Sequence, residues 1–378
     1  MSAPRTARYL DYNATAPIRP EARAAMLFAL DTGGNASSVH AQGRAARDQV
    51  EKARDIVAQR IGASSQRLIF TSGGTEANAI ALEGLAAEAD VLIVGATEHD
   101  AVLKTAQSLK LPVEIWPVDA HGRADLDWLE ARLKDSSSRV AVALMLANNE
   151  TGVIQPVRAV ADLVHAAGGK LHVDAVQALG KIAVDVASLG ADTLAVSAHK
   201  IGGPQGAGAL AYGEGVKLSP LWRGGGQERG LRPGTENIAA IAGFAAAALA
   251  CDPAELAPQS AWRDAAADKM KAVGAVIVGE GAERLPNTLC VAAPEWDSAR
   301  QVMWLDLSSV CVSSGSACSS GKVAPSHVLT AMGLGSLAPY SIRASGGYAS
   351  SESDWSTLAE IWLDGYARVM SRRRAEVA

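Results

Sequence analysis

Thr193-Leu194-Ala195-Val196-Ser197-Ala198-His199-Lys200 is an apolar run that ends on a lysine, and Gly202-Gly203-Pro204-Gln205-Gly206 turns the chain straight afterwards. Such a run reads as a buried strand, and a solvated surface charge is a poor account of a lysine at its end. The pattern recurs upstream. Leu171-His172-Val173-Asp174-Ala175-Val176-Gln177 sets an aspartate directly behind another hydrophobic strand, with a glutamine three residues on. Short strands at 67–70, 91–94, 113–116, 140–146, 170–173, 193–196 and 207–212 alternate with helical patterns at 76–89, 100–108, 126–133 and 156–167. This alternation predicts an α/β layer fold around a seven-stranded, mostly parallel mixed sheet.

At 378 residues and 48% apolar content the chain is long enough for a large core shared between two lobes. Asp252-Pro253 and Ala257-Pro258 mark the boundary. Residues 16–252 are expected to form the larger domain, and residues 1–15 with 253–378, including a helix near 353–371, a smaller α+β domain. A net charge of −5 gives no reason to expect nucleic acid or an anionic membrane as partner. Met1 to Tyr9 has no apolar core of a secretory signal, and the Ala-rich run 238–251 is too short to span a bilayer, so it reads as a buried helix. Cys251, Cys290, Cys311 and Cys318 show no C-x-x-C pairing; no metal site and no disulfide framework are expected, which makes a reducing cytoplasm the default.

In a doubly wound sheet ligands lie beyond the carboxyl ends of the strands, so Asp174, Gln177 and Lys200 can converge there. A pyridoxal phosphate (PLP) site needs those residue types: a lysine for a Schiff base and a carboxylate that keeps the pyridine nitrogen protonated. Taken singly, Asp174 is equally well read as a helix N-cap. Thr71-Ser72-Gly73-Gly74-Thr75-Glu76-Ala77-Asn78 follows a strand and opens a helix, a place where backbone N–H groups and the Thr75 hydroxyl can hold a phosphate. It is neither a Walker A loop nor G-x-G-x-x-G, which argues against ATP and nicotinamide cofactors. Glu98-His99 follows another strand and puts an imidazole where a ring can stack.

Val312-Ser313-Ser314-Gly315-Ser316-Ala317-Cys318-Ser319-Ser320-Gly321 is the most unusual stretch. Nothing around Cys318 builds a core, and the Ser/Gly run favours a mobile, exposed segment. An exposed thiol is a liability unless its reactivity is used. Cys251, Cys290 and Cys311 sit among apolar neighbours and are expected to be buried.

These motifs resemble the cysteine desulfurases of the class V aminotransferase group, almost end to end. The matching stretches are Tyr9 to Thr15, Thr71 to Asn78, Asn148-Asn149-Glu150-Thr151-Gly152, the Asp174 and Lys200 segments, Gly224 to Glu228, Arg232 to Asn237, the Cys318 loop, Pro325-Ser326-His327-Val328-Leu329 and Ile342-Arg343-Ala344-Ser345. The resemblance implies a fold-type I PLP transferase that works as a homodimer on L-cysteine, yielding alanine and a Cys318 persulfide for a sulfur-acceptor protein in iron–sulfur cluster assembly or thio-cofactor synthesis. By the same resemblance Lys200 carries the Schiff base, Asp174 pairs with the pyridinium, Gln177 meets the ring's phenolic oxygen, and His99 stacks on the ring and shuttles protons. Gly74, Thr75, Ser197 and His199 would hold the phosphate, with Thr235 reaching over from the partner subunit. Asn149 and Arg343 would engage cofactor and substrate carboxylate, a guanidinium being suited to bidentate contact.

Departures from the family pattern at Gly34-Asn35-Ala36, Pro233 and Ala344 to Tyr348 touch the subtype rather than the chemistry. The charged end, Ser371 to Ala378, lacks an apolar tail, which points to a nitrogen-fixation-like or standalone member. The alternatives are a selenocysteine lyase, another class V aminotransferase, and a non-catalytic sulfur-carrier scaffold. Cys318 argues against the transaminase, and the joint presence of Lys200, His99, Asp174 and Arg343 against the scaffold.

Overall fold

The computed structural model describes residues 7–134, 138–315 and 325–377. Cys318 lies outside the described residues. After a short first strand, β1 (Arg8–Tyr9), come β2 (Leu68–Thr71), β3 (Val91–Gly95), β4 (Val113–Trp116), β5 (Val140–Met145), β6 (Lys170–Asp174), β7 (Thr193–Ser197) and β8 (Gly208–Tyr212). The last seven form one sheet in the order β2-β8-β7-β6-β5-β3-β4. β7, β6, β5, β3 and β4 are parallel, while β8 runs antiparallel to both β7 and β2. The mixed seven-stranded α/β sheet read from the sequence is the one observed. β3, β5 and β7 are buried along their whole length, as parallel strands covered on both faces must be, and their Val/Leu/Ala content follows from that.

Two helices went unpredicted, Pro20–Thr32 and Ala41–Arg60. The first buries only Ala22 and Ala29, and leaves Leu27, Phe28 and Leu30 exposed, so its sequence shows no inward apolar stripe. Both pack on the helix Ile238–Ala250, which is largely buried as expected. The approach is close: a Cβ on Gly243 would lie 2.6 Å from Met26 Cγ. Among the described residues no single helix is long and apolar enough to cross a membrane.

The C-terminal third builds a second sheet from β9 (Val276–Ile277), β10 (Thr288–Ala292), β12 (Ser313–Ser314) and β13 (Ser341–Ser345), in the antiparallel order β12-β13-β10-β9. β11 (Val310–Cys311) pairs in parallel with β1, and Asp11 bridges to Ser345. The N-terminal residues therefore pack with this third: Leu10 shares a core with Trp296, Trp355, Trp362 and Tyr366. Cys251 and Cys290 are buried, but Cys311 is only half-buried, a correction to its expected burial. Its strand has two residues and a single partner, which leaves one side open.

Chain order fixes where a ligand belongs. From β3 the chain steps outward to β4, then returns to β5 on the other side and continues through β6 to β7. The crevice at that switch point, beyond the carboxyl ends, is the expected binding place.

Candidate active site

Register brings three strand ends to one level: Met145 of β5 pairs with Asp174 of β6, and Asp174 with Ala195 of β7. Asp174 and Gln177 after β6, Ser197, His199 and Lys200 after β7, His99 after β3, Asn149 after β5, and Gly74 and Thr75 after β2 then line one cavity of about 250 Å³.

One end of that cavity suits an anion. The helix Gly74–Ala86 starts there, offering free N–H groups. Ser197 Oγ is buried with no hydrogen-bond partner among the described residues, a costly state that a ligand acceptor would relieve. Glu76 does not compete for the anion's place. Its Oε2 accepts from the Ser72 amide at 2.5 Å and its Oε1 from Arg232 Nε at 3.0 Å. Burial alone would raise the Glu76 carboxyl, but these bonds hold it below its usual range. The wall at Gly74 needs glycine, because a Cβ would stand 2.5 Å from Val176 Cγ2.

Asp174, on the same lining, is buried, and both its oxygens receive donors. Oδ1 accepts from the Val176 amide at 2.9 Å and Oδ2 from Asn78 Nδ2 at 2.6 Å. Lys200 Nζ donates to the carbonyls of Asn13 at 2.6 Å and Ala14 at 2.8 Å. Gln177 Nε2 shares the Asn13 carbonyl at 2.9 Å, while Lys181 Nζ donates to Gln177 Oε1 and Asn13 Oδ1, both at 2.6 Å. Burial, with the nearby charges of Lys200 and Arg343, pushes the Lys181 ammonium well below its ordinary pKa. His99 Nδ1 accepts from the Ala101 amide at 3.1 Å and caps the helix Asp100–Ser108. Burial lowers its pKa, Asp174 resists and Lys200 adds to the lowering. The neutral ring therefore keeps its proton on Nε2. His199 Nδ1 meets Thr15 Oγ1 at 3.2 Å, and burial brings that imidazole down to about 4.

Two predicted residues stand off this wall. Arg343 is 1% exposed; its Nη2 donates to Asp11 Oδ1 at 2.7 Å and its Nη1 to the Asn149 carbonyl at 3.2 Å, while Nε has no partner among the described residues. Thr235 is exposed and lines no part of this cavity. On either side of the undescribed stretch that carries Cys318, the chain meets Glu150. A Cβ on Gly315 would lie 3.3 Å from its Oε2, and Ser326 Oγ donates to the same oxygen at 2.6 Å. His327 Nε2 then contacts the Glu98 carbonyl at 2.9 Å, next to His99.

Asn13, Asn78, Glu98, His172 and Lys181 had been given no role from sequence. Asn13, Asn78, Glu98 and His172 lay within quoted motifs, which is the signal that could have flagged them. Lys181 lay outside every quoted motif and becomes notable through burial and its contact with Asn13, distant in the chain. Glu98 is fully buried; its Oε1 accepts from the Met145 amide, Oε2 has no partner among the described residues, and burial drives its carboxyl well above the usual range.

A model of the aminotransferase class-V family matches residues 8–358. The chain is 43% identical over 365 residues to a cysteine desulfurase of Cereibacter sphaeroides, covering 93% of this chain and 92% of that one. A NifS-like protein from Rickettsia africae superposes with a TM-score of 0.87 at 34% identity, over 95% of this chain and 99% of that structure. A structure of SspA in complex with cysteine gives 0.78 at 28% identity, over 89% and 98%.

Proposed function

The chain belongs to the class-V aminotransferase family, and from that premise we propose that it is a PLP-dependent cysteine desulfurase, converting L-cysteine to L-alanine and leaving the sulfur on Cys318. The observation that carries the proposal is the meeting of Asp174, Lys200, His99 and the unpartnered Ser197 hydroxyl in one cavity. The residues present fit PLP: a hydroxyl with no partner among the described residues, on the same lining as a helix N-terminus, for the phosphate, and a carboxylate held by two donors for the ring. Gly74, Thr75, Ser197 and His199 would hold the phosphate, Gln177 the phenolic oxygen and Asp174 the ring nitrogen.

Bound there, the cofactor supplies a carbonyl for imine exchange and a protonated ring that accepts electrons from the substrate's Cα. The protein's own part is binding and proton transfer. Lys200, whose Nζ contacts the Asn13 and Ala14 carbonyls at the cavity edge, would take the substrate's Cα proton. His99 presents Nε2 as the proton-carrying atom beside the substrate. Arg343, backed by Asp11, is the natural partner for the substrate carboxylate, and its Nη1 is held by the carbonyl of Asn149, which lines the cavity. The Cys318 thiolate attacks the substrate sulfur; the C–S bond breaks as the S–S bond forms, and the carbon keeps the electron pair and is protonated to alanine's methyl group. The product left on the protein is a persulfide for a sulfur acceptor.

A homodimer is part of the proposal, because Thr235 is exposed and off its own chain's cavity, a placement that suits service to the partner's site. Incubation of the PLP-loaded protein with L-cysteine and a thiol reductant should give alanine and sulfide in equal amounts. Cys318→Ser should keep the visible band and lose sulfide release; undiminished release would remove the persulfide from the scheme. Parallel runs with selenocysteine, and with alanine plus a keto acid, separate the lyase and transaminase alternatives.

A further inference from the structure

A line of fully buried polar groups leads from Asp174 into the sheet. His172 stands two residues before Asp174 on β6 and therefore points to the same face. Thr193 is its direct register partner on β7, and Asn78 faces both from the helix Gly74–Ala86, one turn in from its start. Thr193 Oγ1 is 2.9 Å from His172 Nδ1, His172 Nε2 is 2.9 Å from Asn78 Oδ1, and Asn78 Nδ2 is 2.6 Å from Asp174 Oδ2. His172 and Thr193 are 0% exposed and Asn78 1%.

The direction of every bond follows from donor and acceptor chemistry. An ionised carboxylate only accepts, so Asn78 must turn its amide nitrogen to Asp174 and its oxygen to His172. His172 must then carry its proton on Nε2, and its bare Nδ1 accepts from the Thr193 hydroxyl. A neutral ring suits this role, since burial pushes His172 down to about 3 and the Thr193 backbone offsets only part of that. An imidazolium there would compete with the ring nitrogen for the charge of Asp174.

We propose that Thr193, His172 and Asn78 form a one-directional hydrogen-bond relay that holds the Asp174 carboxylate as a pure acceptor, turned toward the cavity. His172 and Asn78 are then positioning residues for the contact between Asp174 and the cofactor's ring nitrogen. The relay rests on the reading that a pyridine ring occupies the cavity. Because no member changes charge across the working range, the contact is insensitive to pH. A fully apolar surround would leave Asp174 without its Oδ2 donor, and a charged one would pull its electrons the wrong way.

The test is nitrogen-15 NMR of histidine-labelled, PLP-loaded protein, together with cofactor affinity and kinetics. One imidazole, identified by its loss in His172→Gln, should show the Nε2–H tautomer unchanged from about pH 5 to about pH 9. An Nδ1–H signal, or a titration in that range, overturns the relay. His172→Phe, which keeps an aromatic ring there, though a larger one, but has no donor, should weaken PLP retention at least about tenfold and lower kcat about tenfold with KM for cysteine within about twofold. His172→Gln, able to donate to Asn78, should recover most of both losses. A phenylalanine variant that equals the parent in PLP retention and kcat refutes the proposal, as does a glutamine variant no better than phenylalanine. Should His172→Phe fail to fold, Thr193→Val reads the far end: the Nε2–H tautomer should persist while the bare Nδ1 resonance shifts as it loses its hydrogen bond, and an unchanged Nδ1 signal would be decisive against the relay. A protein that binds PLP and desulfurates cysteine while His172 titrates loses the relay alone; one that takes up no PLP loses the underlying reading.

Discussion

On the large-domain side of the cavity Asp174, Ser197 and Lys200 stand at or just beyond the ends of neighbouring strands, β6 and β7, at heights set by backbone register. On the other side Arg343 comes from the middle of β13 and is held by side chains: Asp11 grips its Nη2, and Ser313 Oγ donates to the second Asp11 oxygen at 2.7 Å. Both groups stand on laddered strands, but backbone register alone sets the heights of the first, whereas an ion pair with Asp11 also orients the guanidinium of the second. The difference matches what each must do. Under the proposed function the floor would keep a ring fixed through many turnovers, while the clamp would trade Asp11 for a substrate carboxylate and then take Asp11 back.

The largest effect should come from the floor. Lys200→Ala is expected to lower turnover of L-cysteine by at least about a thousandfold, with the parent's visible absorption lost or shifted. Residual activity near the parent's would mean that proton transfer does not depend on the floor at all.

Next comes the support under β2. Arg54 makes a bidentate, fully buried pair with Glu228, which also accepts from the Phe70 amide at 2.7 Å, and Glu228 and the neighbouring Arg229 both adopt positive φ, 46° and 58°. Arg54→Ala strands a buried carboxylate, and should cost about 3–5 kcal/mol in denaturant unfolding of the whole chain. A loss below about 1 kcal/mol would show that solvent reaches the pair.

The clamp should answer differently. Arg343→Lys keeps the charge and loses the fork, so KM for cysteine is expected to rise roughly tenfold to a hundredfold with a smaller change in kcat. A kcat loss matching that of Lys200→Ala would erase the distinction between the two halves.

Smallest for any single unit of pH is a slope in stability. The folded His172 pKa lies near 3 against 6.5 for the free side chain, so between those values the unfolded chain binds a proton that the folded chain refuses. Its share of stability therefore falls as pH drops from about 6.5 toward 3, by at most about 1.4 kcal/mol per unit. Glu98 and Glu150, raised by burial, act in the opposite sense above the ordinary glutamate range. Both are common to parent and His172→Gln, so the difference between the two proteins isolates the histidine. Equal slopes would place His172 in contact with solvent.

The floor was legible because its evidence is local. A hydrophobic run, then Asp174 or Lys200, then a turn can be read without knowing what pairs with what, and right-handed crossovers leave little freedom in how such units stack. The twenty-residue helix Ala41–Arg60 escaped because charges dominate its surface, and Pro20–Thr32 because its apolar side chains face outward. Arg343 was named through the family resemblance, but its pairing with Asp11 and the relay escaped for another reason. Asp11 and Arg343 lie 332 residues apart, Lys181 and Asn13 168, and His172 and Asn78 94.

By itself the amino-acid sequence determined the α/β layering, the strand ends on which Asp174 and Lys200 sit, the glycine turn that opens a helix at Gly74 and the family to which the chain belongs, since periodicity and motif order survive without coordinates of any partner. Only the tertiary structure decided that Asp11 holds Arg343, that Lys181 is buried against Gln177, and that His172 stands neutral behind Asn78. Donor and acceptor roles belong to pairs of groups brought together by folding, and no single position in the chain carries them.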